Sequence, residues 1–256
     1  MMKRQARITP PSFNRYIEPF LGGGAMFFSL PKCPYIISDI NPELINCYQA
    51  IKTDYRSIEK HLYLHQKKHC DGYYYRIRES RPECPIAQAA RFMYLNRTCW
   101  NGLYRVNQKG QFNVPKGSKN DVILSTDKFD QISKRLRGGK IICQDFERTL
   151  SVAKEGDFLF IDPPYTVNHN LNGFLKYNEK IFSWDDQERL RIAIDSAVKR
   201  GAMITMTNAD HESIRQLYEG MCNIETVERS SVIAGSSKFR GKTSEIVMRM
   251  GWDNSS

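Results

Sequence analysis

Long apolar runs are missing from this sequence, and no segment approaches the roughly 20 apolar residues needed to cross a bilayer. The opening residues, MMKRQARITPP, are basic with no apolar stretch behind them, which predicts no secretory signal and a cytoplasmic protein. Seven cysteines are present, an odd number, and no two have C-x-x-C spacing. Neither a disulfide framework nor a metal site is therefore expected, and the thiols should be reduced and mostly buried. Internal repeats and low-complexity stretches are also lacking. Acid is in short supply: 28 Asp and Glu stand against 38 Lys and Arg, a net charge of +10. Such a surplus favours an anionic partner, nucleic acid foremost, although a solvated basic surface accounts for the charge equally well.

The 256 residues suffice for one large domain or one domain with an insertion. RYIEPF (15–20) and YIISDI (35–40) read as strands, and NPELINCYQAI as a helix with Asn41 as cap and Pro42 at its first position. KIICQDF, FLFIDPPY and AMITMTN are further strands. SWDDQERLRIAIDSAVKRG is a helix capped by Ser183 and stopped at Gly201, HESIRQLYE is another, and NIETVERS and TSEIVMRM form a closing strand pair. Strands alternating with helices imply an α/β fold with a doubly wound, mostly parallel sheet. The middle differs. RSIEKHLYLHQKKH and PIAQAARFMYLNRT look helical, and LYRVN and QFNVP look like hairpin arms turning at Lys109-Gly110. The expected division is 13–52 and 136–250 for the α/β parts and 53–135 for an insertion.

Two stretches carry chemistry. In YIEPFLGGGAMFFSL a strand runs into three glycines and then a helix, at the strand end where open α/β sheets bind ligands. No G-K-[ST] follows, so this is not a Walker loop, and the G-x-G-x-x-G signature is incomplete. Glu18, at the turn's edge, would repel a pyrophosphate but attract a cation, and Asp39, ending the second strand, can accept from ribose hydroxyls. A cationic adenosine without phosphates, S-adenosylmethionine, suits both acids. The plainer readings are a tight strand-to-helix connection and a helix-capping Asp39. In the second stretch, FLFIDPPY, Asp162 emerges from a buried strand and Pro163 and Pro164 end the ladder. Tyr165 then presents a ring and a hydroxyl. Loop capping by Asp162 and core packing by Tyr165 are the duller alternatives.

EPFLGGG, SDINPELI, NRTCWNGLYRVN, FNVP and DPPY, in that order, resemble the Dam-type (D12 class) family of DNA adenine-N6 methyltransferases over roughly residues 13–250. The resemblance implies a Rossmann-like methyltransferase sheet with an inserted helical and hairpin target-recognition domain. It implies a catalytic set of Asp162, Pro163, Pro164 and Tyr165 acting on an adenine flipped out of double-stranded DNA. Glu18, Pro19, Phe20, Gly22, Gly24, Asp39, Asp145, Phe146 and Asp162 would hold S-adenosylmethionine, with Phe146 as ordinary core the equal alternative. Arg97, Trp100, Asn101, Leu103, Arg105, Asn107, Asn113, Pro115 and Lys116 would meet DNA: Arg105 at a guanine, Trp100 inserted, Leu103 and Pro115 at a thymine methyl, in keeping with a GATC target. Lys116, Lys119 and the basic tail 236–245 would meet phosphates. A generic basic hairpin is the bland reading. The expected state is a monomer in solution, with a dimer on DNA as the alternative. Mismatch repair, restriction–modification and phage protection stay open as roles. The family normally opens with an aromatic–small–Gly-Gly-Lys segment, and residues 1–19 contain none, with Lys3-Arg4-Gln5 as its nearest remnant. A weak or inactive DNA-binding relative is therefore the rival to an active enzyme.

Overall fold

The computed structural model describes residues 8–107, 109–167, 182–230 and 242–252. Along the chain the elements are β1 (Arg15–Glu18), α1 (Ala25–Ser29), β2 (Tyr35–Asp39), α2 (Pro42–Lys68), α3 (Asp71–Glu79), α4 (Pro85–Thr98) and a 3-10 turn (Trp100–Gly102). There follow α5 (Phe129–Arg135), β3 (Gly139–Cys143), α6 (Phe146–Ser151), β4 (Asp157–Ile161), α7 (Trp184–Lys199), β5 (Met203–Ala209), α8 (Glu212–Leu217), β6 (Asn223–Ser230) and β7 (Lys242–Met250). The chain forms two compact units, one of residues 1–40 with 144–256, the other of residues 41–143.

In the first unit six of the sheet's seven strands run in the order β2-β1-β4-β5-β7-β6. β1 pairs in parallel with β2 on one side and β4 on the other, and β4 continues in parallel to β5. The chain thus leaves β1 in one direction and returns on its opposite side at β4. That reversal is the switch point outside whose strand ends open α/β sheets bind ligands. The parallel strands are apolar because both faces are covered: Tyr16, Ile17, Ile37, Phe158, Leu159, Ile161, Ile204 and Met206 are fully buried. β7 runs antiparallel between β5 and β6, as the closing strand pair predicted. Arg15 grips the buried Asp157 with two hydrogen bonds, fixing β1 against β4 at the end away from the switch point. α7 carries the expected cap: the Ser183 hydroxyl accepts from the Asp186 N–H, while the Asp186 carboxylate accepts from the Ser183 N–H.

In the second unit α2 packs chiefly on α4, through a core that includes Ile51, Ile58, Leu62, Ala89, Tyr94 and Leu95. Asn41 caps α2 by accepting from the N–H groups of Glu43 and Leu44, as its position suggested. Asp54, with φ −148° and ψ 70°, interrupts α2. The expected start of the insertion, residue 53, falls beside that break.

Four local expectations are corrected. The first strand stops at Glu18 rather than Phe20, because Pro19 has no N–H for the ladder. KIICQDF is strand only to Cys143; Asp145 then caps α6 by accepting from the Glu147 N–H at 2.9 Å, and Phe146 opens the helix. The hairpin forms with shorter arms: Val106 bridges Phe112, the Asn107 N–H donates to the Gln111 carbonyl and the Asn113 N–H to the Arg105 carbonyl, and the Asn107 side-chain oxygen closes the turn by accepting from the N–H groups of Lys109 and Gln111. The cysteines are not mostly buried: Cys47 and Cys99 are, while Cys70, Cys84 and Cys143 are exposed, the first two immediately ahead of helices.

Candidate active site

The glycine turn begins where β1 ends. The Leu21 N–H donates to the Ser38 carbonyl at 3.0 Å, the Gly22 N–H to Asp39 Oδ2 at 3.0 Å, and the Gly24 N–H to the Leu21 carbonyl at 2.7 Å. Gly22 and Gly24 have φ of 47° and 64°, which a side chain would strain, and Gly24 caps α1 from that conformation. A Cβ on Gly22 or Gly23 would meet nothing within 4 Å, so the turn also presents bare backbone to open space. Pro19 is buried behind it. Phe20 stacks on Phe146 at 5.4 Å between ring centroids and meets Phe182 edge-on at 5.6 Å.

Glu18, expected to repel a pyrophosphate and attract a cation at the turn, is withdrawn from solvent. It is 3% exposed, and its carboxyl accepts from the Tyr16 hydroxyl at 2.9 Å. Burial, reinforced by the charges of Asp162 and Asp39, pushes its pKa up to about 8, against the opposing bond from Tyr16. At neutral pH it carries a proton. Sequence shows the acid but not the loss of its water.

Asp162 lies just past β4 and is exposed. Its Oδ1 accepts from the Thr207 hydroxyl at 2.5 Å and from the Tyr165 hydroxyl at 3.3 Å. Pro163 is buried, and Pro164 and Tyr165 are half-buried. Behind them, the buried Thr166 donates to the Phe182 carbonyl at 2.6 Å. Gln187 donates to the Thr166 carbonyl and accepts from Asn208, each at 3.3 Å, with both amides fully buried. Thr207, Thr166, Gln187 and Asn208 did not stand out in the sequence. The only available signal was that β5 runs parallel beside β4, which brings the end of ITMTN to the aspartate.

Asp145 and Phe146 lie at the start of α6. Asp145 caps the helix and accepts from Arg189 at 3.1 Å. Arg189 also holds Glu147 and Asp186, and its guanidinium lies 4.9 Å from the Phe146 ring centroid. Phe146 is 6% exposed among Phe20, Phe182 and Arg189, so its ring is packed wall.

The segment expected to read DNA belongs to the second unit. Trp100 is 55% and Leu103 46% exposed, and Arg105 is exposed with its Nε donating to Asn113 Oδ1 at 2.9 Å. Asn101 holds a left-handed φ of 53° beside Gly102 at 66°, which throws Trp100 outward. Pro115 is exposed, and its carbonyl accepts from the Trp100 N–H. Three expected DNA contacts are otherwise engaged. Arg97 forms a two-pronged pair with Asp127 and donates to the Val122 carbonyl, which makes it an internal clamp rather than a surface cation. Asn107 builds the turn. Lys116 reaches Asp71 at 3.3 Å. Lys3-Arg4-Gln5 and most of the basic tail 236–245 lie outside the described residues.

A glycine turn after the first strand and an acid–Pro–Pro–Tyr loop after the fourth, side by side at the switch point of a parallel sheet, define a Rossmann-like methyltransferase. The D12 class N6 adenine-specific DNA methyltransferase family matches residues 6–233, and the chain belongs to that family. It is 36% identical to the Type II methyltransferase M1.LlaDCHI of Lactococcus lactis subsp. cremoris, over 94% of this chain and 88% of that protein. It is 38% identical to the Type II methyltransferase M.MjaIII of Methanocaldococcus jannaschii, over 87% and 83% respectively. A DNA adenine methylase of Vibrio cholerae is 30% identical, over 93% of this chain and 87% of that one. The chain is thus an adenine-specific DNA methyltransferase.

Proposed function

We propose that the chain binds S-adenosylmethionine at the glycine turn and methylates the N6 of an adenine flipped out of double-stranded DNA. The observation that carries this reading is Asp162. Its exposed carboxylate stands at the end of β4, and both hydrogen bonds described for it run to Oδ1. Oδ2 is then the oxygen that accepts from an amine. The N6 lone pair is delocalised into the adenine ring and becomes nucleophilic when the nitrogen pyramidalises. Oδ2 and a carbonyl of the Pro163–Pro164 loop, both fixed in advance, favour that geometry. The Tyr165 ring offers the flipped base a stacking face. When bound, the cofactor would supply an electrophilic methyl on its sulfonium, and Asp162, the Pro163–Pro164 loop and Tyr165 would hold N6 facing it.

The site fits that group chemically. Asp39 and Asp162 gather negative charge within a chain of net +10, as a sulfonium and an α-ammonium require. In the second unit, residues 53–135 are the proposed target-recognition part, with Arg105 at a guanine, Leu103 at a thymine methyl, Trp100 inserted and GATC as the candidate site. A monomeric enzyme of the cytoplasm is proposed, and no helix among the described residues is long and apolar enough to cross a membrane. The test is transfer of tritium from methyl-labelled S-adenosylmethionine to unmethylated duplexes with and without GATC. Label in adenine N6 of the GATC duplex alone is expected. No label in any duplex, with no thermal shift on adding cofactor, would leave a DNA binder without catalysis.

A further inference from the structure

We propose that Glu43 is the positioning residue of the DNA-reading segment: its carboxylate holds Tyr104, and through it sets where Leu103 and Arg105 project. The inference rests on the reading of that segment given above. Glu43 is the second residue of α2, and its backbone is fixed by the Asn41 cap. Its two carboxylate oxygens are divided between two partners. Oε1 accepts from Arg91 Nη1 at 3.2 Å, and Oε2 accepts from the Tyr104 hydroxyl at 2.9 Å. Arg91 is 5% exposed and is locked in turn, with Nε on the Ile77 carbonyl at 3.0 Å and Nη2 on the Arg78 carbonyl at 2.6 Å. The carboxylate therefore links one locked support, Arg91, to a second partner, Tyr104.

The Tyr104 ring packs against Phe92 of α4 at 5.6 Å and Phe112 at 5.9 Å. Along extended chain successive side chains point to opposite sides. With Tyr104 turned inward, Leu103 and Arg105 must turn outward, and both are exposed. Ring packing alone would allow the aromatic to slide and roll. A charge-assisted hydrogen bond to a braced carboxylate fixes its depth and its direction. The Val106–Phe112 bridge and the bond from the Asn113 N–H to the Arg105 carbonyl fix the backbone beyond Tyr104, and the tether fixes the ring that they leave to packing.

E43Q and Y104F test the proposal. Glutamine keeps the shape but removes the charge: the Tyr104 hydroxyl can turn to accept from the NH2, yet the charge-assisted bond is lost. Y104F removes a single hydroxyl from a ring still seated on Phe92 and Phe112, and so decides the matter if E43Q does not fold. The measurement is kcat/KM on the unmethylated target duplex and on duplexes substituted singly at each base pair, with R105A alongside. Discrimination at the base read by Arg105 should fall about tenfold in E43Q and Y104F, near the low end of one bidentate contact. The KM for S-adenosylmethionine should be unchanged, and the double variant should be no worse than E43Q alone. A merely structural role predicts instead that all duplexes slow by one common factor, or that the two losses multiply, and either result overturns the proposal. If R105A relaxes specificity and the other two do not, the positioning role alone falls. If R105A leaves specificity intact, the reading of the segment falls and the proposal with it.

Discussion

Two carboxyls of the site differ in kind, and solvent exposure decides which does what. Asp162 is exposed and braced by Thr207, and in the proposed reaction it accepts from the adenine amine. Asp162→Ala should lower kcat at least 100-fold, the scale of losing one preorganised electrostatic contact. Duplex binding, followed by fluorescence anisotropy, should stay within a few-fold; a matching collapse of binding would make Asp162 a docking residue. Glu18 is buried and protonated near neutrality, with a pKa raised from 4.5 to about 8. For an acid raised on folding, the native chain holds the proton more tightly than the unfolded one. That stabilisation is complete below about pH 4.5 and is lost as pH rises through 8. Cofactor-free protein should therefore lose Tm between pH 6 and 9 more steeply than its E18Q variant. Identical slopes in a thermal melt would show that Glu18 ionises without cost. A bound sulfonium would favour the ionised form, so cofactor binding below pH 8 should release a proton, which calorimetry in buffers of different ionisation enthalpy detects.

At the scale of elements, helix caps were the legible features, because they depend on a few consecutive residues. Asn41-Pro42 and Ser183 with Asp186 announce helix starts that the structure contains. Ser183→Ala should remove about 1 kcal/mol, or roughly 2–4 °C in Tm for a chain of this size, with kcat little changed. A loss of activity without a loss of Tm would instead tie α7 directly to the site. What the sequence concealed depends on neighbours far along the chain. Asp145 reads equally well as the end of a strand or the cap of a helix, and only the register of the Gln144 N–H against the Asp39 carbonyl separates the two. Thr207 becomes a partner of Asp162 only once β5 lies beside β4. Arg97 looks like any other arginine of a basic segment until Asp127 closes on it. The motif residues were thus visible as types, while the groups that orient them were not.

For the molecule as a whole, charge of opposite sign serves two ligands. The chain carries +10, while the proposed methyl-transfer site gathers Asp39 and Asp162 beside the buried, protonated Glu18. The surplus cations suit a polyanion and the acids a small cation, so salt should weaken duplex binding far more than cofactor binding. Within the second unit the cations divide by what already holds them. Lys116 is paired with Asp71, whereas Arg105 and Lys119 are exposed. Lys119→Ala should weaken all duplexes alike and lower the slope of log Kd against log salt by about one counterion. Arg105→Ala should instead cost about 1–3 kcal/mol of discrimination at one base position and leave the others as they were. Methylation sites mapped by single-molecule sequencing separate the two, with a motif degenerate at the guanine for Arg105→Ala and the parent motif, at lower occupancy, for Lys119→Ala. An unchanged motif in both would move base reading away from residues 100–116 and onto the helical part of the unit, where α3 carries Arg76 and Arg78.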